Sequence, residues 1–145
     1  MALVEKSVLI EYSAAQMYAL VEDVAAYPEF LPWCGGTEIL EKQHDLTRAA
    51  IVIDFRGIKQ RFSTQNRADP PNLIEMTLID GPFRQLDGSW RFKALGNEAC
   101  KIEFRLHYEF SSKWLEKIFG PVFHFIASTF VDAFVKRARQ LYGER

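Results

Sequence analysis

The side chains most capable of chemistry in this sequence are three histidines and two cysteines, and their positions favour no reaction. His107 is predicted on the solvated face of a strand, His44 in a turn and His124 on the polar line of a helix, so each lacks the partner that acid–base catalysis requires. Cys34 and Cys100 lie far apart, and two cysteines are too few for a disulfide framework, which favours a reduced, cytoplasmic setting. We therefore predict no catalytic residue among them.

The carboxylates and glycines form no reaction centre or cofactor site either. Asp54, Glu75 and Glu103 are predicted to be isolated on separate strands, without the second carboxylate that fixes an acid–base pair. The sequence has no glycine-rich phosphate loop and no metal-binding cluster of Cys and His. These absences predict a non-enzymatic protein with no metal and no cofactor.

Length and composition predict one globular domain spanning residues 1–145. A chain of 145 residues can bury a core without disulfides or metals, and its twelve phenylalanines favour either a tightly packed interior or an apolar pocket. The formal net charge of −1 provides no overall field for nucleic acid, so we expect no DNA partner, and any RNA contact needs a local patch. We expect neither a signal peptide nor a transmembrane segment, because apolar runs stop well short of roughly 20 residues.

The first quarter of the chain is predicted to form a strand, a helix and a short turn-like segment. Residues 3–11 alternate between apolar and polar side chains, as a strand does. Ser13 opens a capping box and is the predicted N-cap of a helix that runs to about Val24. Two prolines then limit residues 25–33 to a short helix or turn.

Six strands in hairpin succession are predicted between Glu38 and Phe110, where the apolar period falls to two and turn residues recur. The last strand is the clearest, because alternate positions from Cys100 to Phe110 are apolar while the intervening positions are charged or polar. This alternation is typical of an antiparallel sheet with one buried and one solvated face.

The last thirty residues predict a long helix with Ser111 or Ser112 as its N-cap. We predict a core-facing stripe of Leu115, Ile118, Val122, Ile126, Phe130, Ala133, Phe134 and Leu141. The buried face of a seven-stranded sheet needs a cover, and only this helix is long enough. The predicted architecture is therefore α+β, a curved antiparallel sheet wrapped around a C-terminal helix.

Three strings at particular places resemble a known family. Residues 27–34 read Tyr-Pro-Glu-Phe-Leu-Pro-Trp-Cys, residues 81–83 read Gly-Pro-Phe ahead of a Trp90-x-Phe92 pair, and residues 133–143 read Ala-Phe-x-x-Arg-Ala-x-x-Leu-Tyr-Gly. Over nearly the whole chain the sequence resembles the coenzyme Q-binding and ribosome association toxin RatA family, which belongs to the START-like, polyketide cyclase/dehydrase-type superfamily. The resemblance implies the helix-grip fold. Related proteins include cyclases, so an enzymatic function would rest on fold analogy alone.

The same resemblance implies two alternative functions. In the first, ubiquinone or a similar isoprenoid lipid binds between sheet and helix in support of respiration, and the protein contacts the inner membrane peripherally. In the second, the protein is a toxin that binds the large ribosomal subunit and blocks its association with the small one. We favour the first function from the sequence, because large apolar side chains are in excess and buried apolar area gives a lipid its affinity.

The predicted ligand cavity is lined by inward-facing apolar side chains, namely Tyr27, Phe30, Leu31, Trp33, Phe55, Phe62, Met76, Leu78, Phe83, Trp90, Phe92, Phe104, Tyr108, Phe123, Ile126 and Phe130. Phe30, Leu31 and Trp33 form either a movable lid, stiffened by two prolines, or a fixed plug at the open edge of the sheet. Phe83 either forms a lip of the cavity mouth or is pinned inward by a tight turn.

One hairpin is predicted to bring four cations together on the outer face of the sheet, namely Arg91, Lys93, Lys101 and Arg105. Such a patch is a candidate contact for the phosphates of ribosomal RNA. Glu103 and Glu109 are interspersed among these cations, and no aromatic residues interleave to stack on bases. The alternative is therefore an ordinary solvated face of mixed charge.

Overall fold

The computed structural model describes residues 2–144 and confirms the predicted α+β helix-grip architecture. In chain order the strands and helices are β1 (Ala2–Ile10), α1 (Ala14–Glu22), a 3-10 helix (Val24–Glu29), β2 (Cys34–Gln43), β3 (Leu46–Phe55), β4 (Ile58–Asp69), β5 (Leu73–Asp80), β6 (Phe83–Ala94), β7 (Cys100–Phe110) and α2 (Lys113–Tyr142). One hydrophobic cluster joins residues of the sheet, α1 and α2.

Within the described residues, seven strands form one antiparallel sheet in the order β1-β7-β6-β5-β4-β3-β2. Strands β2 to β7 pair in hairpin succession, and β1 closes the order by pairing with β7. Along β7 every second side chain, from Cys100 to Phe110, is buried. The alternation in the sequence therefore gave the correct buried face. The first of the six hairpin strands begins at Cys34 rather than Glu38, because residues 34–37 pair with β3 across an irregular register.

Helix α1 begins at the predicted capping box. The Gln16 backbone N–H donates to the Ser13 hydroxyl oxygen at 3.1 Å, and the Ser13 backbone N–H donates to Gln16 Oε1 at 2.9 Å. These two bonds satisfy amide groups that have no partner inside the helix. The α-helix ends at Glu22, and the 3-10 helix takes over the segment in which we expected a short helix or turn.

Helix α2 buries a stripe that partly matches the predicted one. Ile126 and Phe134 are buried as expected, and four other predicted residues pack half-buried against the core, namely Leu115, Val122, Phe130 and Ala133. The N-cap of α2 is Ser112, whose hydroxyl accepts a hydrogen bond from the Leu115 backbone N–H at 3.1 Å. Ile118 and Leu141 are exposed, so their assignment to the core was wrong. The buried residues of the helix are Phe119, Phe123, Ile126, Ala127, Val131, Phe134 and Ala138. Apolar residues occur on more than one side of α2, and contact with the sheet rather than hydropathy decides which side is buried.

By length and composition alone, α2 would pass as a membrane-spanning helix. It contains an 18-residue window with a mean hydropathy of 1.6, of which 33% is buried inside the fold. A core helix of a globular domain meets the same criterion, and the buried side of α2 packs against the sheet. The expectation that the chain has no transmembrane segment stays a prediction.

Candidate functional site

A cavity of about 70 Å³ lies between the sheet and α2. Its wall consists of Val24, Tyr27, Trp33, Ala49, Ile51, Ile53, Phe62, Thr64, Asn66, Met76, Leu86, Phe104, Leu106, Phe123, Ile126, Ala127 and Phe130. Pockets for drug-sized ligands are typically about 300–1,000 Å³. In its present shape the cavity therefore accommodates a small apolar group, and a long isoprenoid chain requires it to widen.

Eight of the sixteen predicted ligand-binding residues line this cavity, namely Tyr27, Trp33, Phe62, Met76, Phe104, Phe123, Ile126 and Phe130. The other eight lie outside its wall, namely Phe30, Leu31, Phe55, Leu78, Phe83, Trp90, Phe92 and Tyr108. Leu31, Trp90 and Phe92 belong to the fully buried core. Phe55 lies on the other side of the helix, where its ring stacks on Phe125 with centroids 5.9 Å apart. A ligand-binding role for any of the sixteen stays a prediction.

Nine cavity-lining residues were absent from the predicted set, namely Val24, Ala49, Ile51, Ile53, Thr64, Asn66, Leu86, Leu106 and Ala127. The alternation along β3 already placed Ile51 and Ile53 on one face of their strand. Ala49 and Ala127 are harder to find, because they contribute to a cavity by leaving space. A search for large apolar side chains passes over such positions.

The cavity wall has one polar spot, formed by Thr64 and Asn66. These residues are two apart on β4 and therefore point to the same side of the sheet. The Thr64 hydroxyl donates to Asn66 Oδ1 at 2.9 Å, while the amide of Asn66 retains its own N–H donors. The wall therefore suits a largely apolar ligand with one oxygen-bearing end.

The segment of residues 27–34 is tied to the core by its backbone and by two of its side chains. The Leu31 N–H donates to the Tyr27 carbonyl at 2.9 Å, and the Asp54 N–H of β3 donates to the Trp33 carbonyl at 2.8 Å. Trp33 is 5% exposed, and its ring lies 5.8 Å from that of Phe130 on α2. The Tyr27 hydroxyl donates to a backbone carbonyl of α1, and complete burial raises the pKa of that hydroxyl.

Phe30 is the least buried aromatic residue of this segment. Its ring packs against Phe134 with centroids 5.2 Å apart, and the Arg137 guanidinium lies 5.1 Å from its centre. Arg137 also pairs with Glu29, at 3.4 Å. Phe134 and Arg137 thus hold this segment against α2, and movement of the segment as a lid stays a prediction.

A tight turn holds Phe83 inside the fold. Gly81 has a φ of 149°, and a Cβ at this position would lie 2.6 Å from the Cβ of Phe62, so a larger residue does not fit. The buried Phe83 ring lies 4.9 Å from that of Phe123 and 5.1 Å from that of Phe110. This geometry corresponds to the inward-pinned alternative for Phe83.

The four predicted cations do share the outer face of the β6–β7 hairpin. Lys93 lies opposite Lys101, and Arg91 lies opposite Glu103. The Lys93 ammonium is 2.9 Å from Glu103, and this hydrogen bond lowers the pKa of the Glu103 carboxyl. Within residues 2–144, Arg91, Lys101 and Arg105 form no ion pair. Three of the four cations therefore have no direct ion-pair partner among these residues, although the charges of Lys101 and Arg91 also lower the pKa of Glu103.

The histidines occupy the solvated positions expected of them. His44 lies 3.4 Å from its neighbour Asp45 in an exposed turn, and His107 lies 3.9 Å from Asp87 on the outer face. The exposed His124 ring lies 3.3 Å from the Tyr108 hydroxyl, a contact that the sequence did not predict.

Neither cysteine is activated for nucleophilic chemistry. Both thiols are free and buried. Desolvation raises the pKa of Cys34 and raises that of Cys100 to about 11, so both remain protonated at neutral pH. Among the described residues, no cluster of three or more His, Cys, Asp or Glu side chains could hold a metal ion.

Comparison with known proteins identifies relatives of this fold and sequence. The family described as "Polyketide cyclase / dehydrase and lipid transport" matches residues 10–135. The ribosome association toxin RatA of Vibrio cholerae serotype O1 is 47% identical over 141 residues, which cover 97% of this chain and 98% of that protein. The mitochondrial coenzyme Q-binding protein COQ10 homolog B of Xenopus laevis is 28% identical over 144 residues, which cover 97% of this chain and 59% of that protein.

A solved structure supports the fold without deciding the function. The Zhui aromatase/cyclase of Streptomyces sp. R1128 superposes with a TM-score of 0.84 at 17% identity, over 96% of this chain and 94% of that one. Of the two functions expected from the sequence, the ribosomal one is backed better than the quinone one, because the RatA relative is the more similar. This chain belongs to the polyketide cyclase/dehydrase and lipid transport family and, within it, to the family of ribosome association toxins RatA.

Proposed function

We propose that this protein is a cytoplasmic ribosome association toxin that binds the large ribosomal subunit and keeps the small subunit from joining. The observation that carries the proposal is its 47% identity with RatA of Vibrio cholerae over 141 residues. That identity amounts to about 66 positions, whereas 34 of the described residues are buried. The identical positions therefore extend beyond the fully buried core.

We infer that the protein acts by binding and not by catalysis. Its thiols are buried and protonated, and no histidine lies beside a cysteine or serine in any hydrogen bond or ion pair of the described residues. A bound protein of this size can obstruct a contact between two large particles without breaking a bond.

The outer face of the β6–β7 hairpin is the proposed contact with ribosomal RNA. Arg91, Lys101 and Arg105 lie on it without a direct ion pair among residues 2–144, although Glu103 stands opposite Arg91, and arginine binds phosphate in a bidentate manner. Glu5 of β1 stands opposite Arg105, so the patch is local. Contact with phosphates through such a patch predicts binding that weakens steeply with salt.

Reversal of two of these charges is expected to weaken ribosome binding. The purified protein should cosediment with large subunits and lower the fraction of joined ribosomes in a density gradient. The double substitution Arg91→Glu with Arg105→Glu should lower the affinity about tenfold or more, because it replaces attraction to phosphate by repulsion. Sedimentation at a series of salt concentrations should also show a shallower salt dependence for the variant.

Arg61→Glu is the matched control for this experiment. Arg61 lies on the same outer face, on β4, where it pairs with Glu38 at 3.4 Å. Its reversal should leave sedimentation unchanged. If the unmodified protein neither cosediments with large subunits nor lowers subunit joining, the proposed function is wrong. If the unmodified protein binds large subunits and the double variant binds them equally well, the proposed contact face is wrong and the proposed function stands.

Binding of an isoprenoid quinone is the second candidate function, and the apolar cavity with its polar spot favours it. The similarity to COQ10 homolog B covers 97% of this chain. A quinone head fits the chemistry of the wall, since Asn66 offers N–H donors to a carbonyl oxygen. Organic extraction with mass spectrometry and titration with ubiquinone test this candidate, which fails if no lipid co-purifies and no saturable binding occurs.

The substitution Ala127→Leu should separate the two functions. Ala127 lines the cavity from α2, so three added carbon atoms occupy much of the available 70 Å³. Saturable ubiquinone binding should be lost, while the free energy of unfolding changes by less than about 1.5 kcal/mol because the space is already present. Ribosome cosedimentation should persist, because the outer face of the sheet is unchanged.

Ala133→Leu is the control on the same helix, since Ala133 does not line the cavity. This variant should bind ubiquinone as the unmodified protein does. Undiminished binding by Ala127→Leu would place any quinone outside the cavity.

A further inference from the structure

The first half of α2 presents apolar side chains to solvent. Trp114 is 68% exposed, Ile118 and Phe125 are each 47% exposed, and Pro121 is exposed between them. At 3.6 residues per turn these four positions fall on one side of the helix, opposite its buried stripe. We refer to Trp114, Ile118, Pro121 and Phe125 as the outer stripe. The second half of the same side is polar, with Asp132 and Lys136 exposed.

The tip of the β3–β4 hairpin extends the outer stripe. The ring of Phe55 stacks on that of Phe125, with centroids 5.9 Å apart and planes 3° from parallel. The Arg56 guanidinium lies 4.9 Å from the centre of the Phe55 ring and 5.7 Å from that of Phe125. Arg56 and Gly57 both have positive φ, at 51° and 80°, which forms a tight turn at the tip. Helix and hairpin thus form one surface of aromatic rings with a guanidinium at its margin.

Three cationic side chains flank this surface. Lys113 and Lys117 are exposed on the first two turns of α2, and Arg56 lies at the hairpin tip. Within residues 2–144 none of these three cations forms an ion pair. The acidic residue of these turns, Glu116, lies on the side of the helix away from the outer stripe. The margin of the apolar surface at the start of α2 and at the hairpin tip is therefore cationic, while Asp132 and Lys136 continue the same side with mixed charge.

We propose that the outer stripe docks the protein on an anionic lipid membrane. Tryptophan favours the boundary between headgroups and acyl chains, and a helix with an apolar face flanked by lysines lies in that boundary. The three cations would then contact the negatively charged headgroups. A second copy of this chain is a poorer occupant, because a twofold interface would bring like-charged rims together. This proposal does not depend on ribosome binding.

Tryptophan fluorescence gives a direct test with the unmodified full chain. Trp33 is 5% and Trp90 0% exposed, so a change in solvent exposure on docking reports mainly on Trp114. Vesicles of roughly three parts phosphatidylcholine to one part phosphatidylglycerol should carry the protein down on sedimentation and shift its emission to shorter wavelength. Vesicles of phosphatidylcholine alone should bind the protein with an affinity lower by about tenfold or more, since the cations then have no anionic headgroups to contact.

Two variants test whether the outer stripe is responsible. Trp114→Ala should lower the affinity for anionic vesicles about tenfold or more. Leu9→Ala is the matched control, because Leu9 is also 68% exposed but lies on β1, and it should bind as the unmodified protein does. The proposal is overturned if anionic vesicles do not bind or if Trp114→Ala binds them undiminished. It is also overturned if vesicles bind neither the unmodified protein nor Trp114→Ala, while Trp114→Ala lowers ribosome cosedimentation. That result would show that the outer stripe contacts the ribosome instead of a membrane.

Discussion

Replacement of Trp90 by Ala is expected to lower the free energy of unfolding by about 3–5 kcal/mol. The Trp90 side chain is completely buried on β6. Its ring centroid lies within 6.1 Å of four other aromatic rings, those of Phe92, Phe104, Phe130 and Phe134. Removal of the indole leaves a void between sheet and helix, and neither can close it without distorting its own hydrogen bonds. Equilibrium unfolding in denaturant measures the loss.

Trp114→Ala provides the comparison, because it deletes the same side chain from an exposed position. The free energy of unfolding of this variant should stay within about 0.5 kcal/mol of that of the unmodified protein. Equal losses in the free energy of unfolding would contradict the structure, in which Trp90 is buried and Trp114 is exposed. A large loss at Trp90 alone would assign this residue, which we had predicted to bind ligand, to the structural core.

The sheet was predictable from the sequence because successive side chains of a strand point to opposite faces, so every second residue is buried. On β7 a shift of one residue would exchange Phe104 for Arg105 on the buried face, so the sequence permits one orientation. The capping box at Ser13 was equally local, since both of its hydrogen bonds lie within four residues. Signals of this kind need no knowledge of the rest of the fold.

The orientation of α2 was less predictable, because its sequence is apolar on more than one side. Ile118 and Phe119 are adjacent and both hydrophobic, yet the first is exposed and the second buried. The choice between them depends on the aromatic side chains of the sheet, such as Phe83 and Phe110, which contact Phe119. Ile118, which was wrongly assigned to the core, belongs to the face of α2 that we now propose as a lipid-docking surface.

The cavity was only partly predictable from the sequence. Its volume is the small difference between the space that the sheet and α2 enclose and the volume of the side chains that fill that space. Phe104 and Phe130 line its wall, but the space itself depends on the small side chains of Ala49 and Ala127. The cation patch shows the same division. Alternation along the two strands predicted that Lys93 and Lys101 share the outer face, whereas the pairing of Lys93 with Glu103 depends on side-chain conformations.

Replacement of Trp33 by Ala is expected to lower the free energy of unfolding by about 3–5 kcal/mol, as removal of a packed wall does. Trp33 is 5% exposed and contacts Phe130, and its carbonyl accepts a hydrogen bond from β3. The lid hypothesis makes the opposite prediction, a small loss of stability with faster release of ligand. Denaturant unfolding and ligand dissociation must therefore be measured on the same variant.

Phe30→Ala is the control within the same segment. Phe30 is half-buried, so its removal should cost less stability than removal of Trp33.

Loss of the Trp33 indole also enlarges the cavity of about 70 Å³, and enlarged apolar cavities take up small apolar molecules. If Trp33 is a fixed wall, Trp33→Ala should be destabilised, should bind benzene, and should release ubiquinone at an unchanged rate if quinone binds at all. A variant of nearly unchanged stability that releases ubiquinone faster would instead show that residues 27–34 open. A Trp side chain that is not firmly packed in the core can be removed with little loss of stability, whereas a packed one cannot.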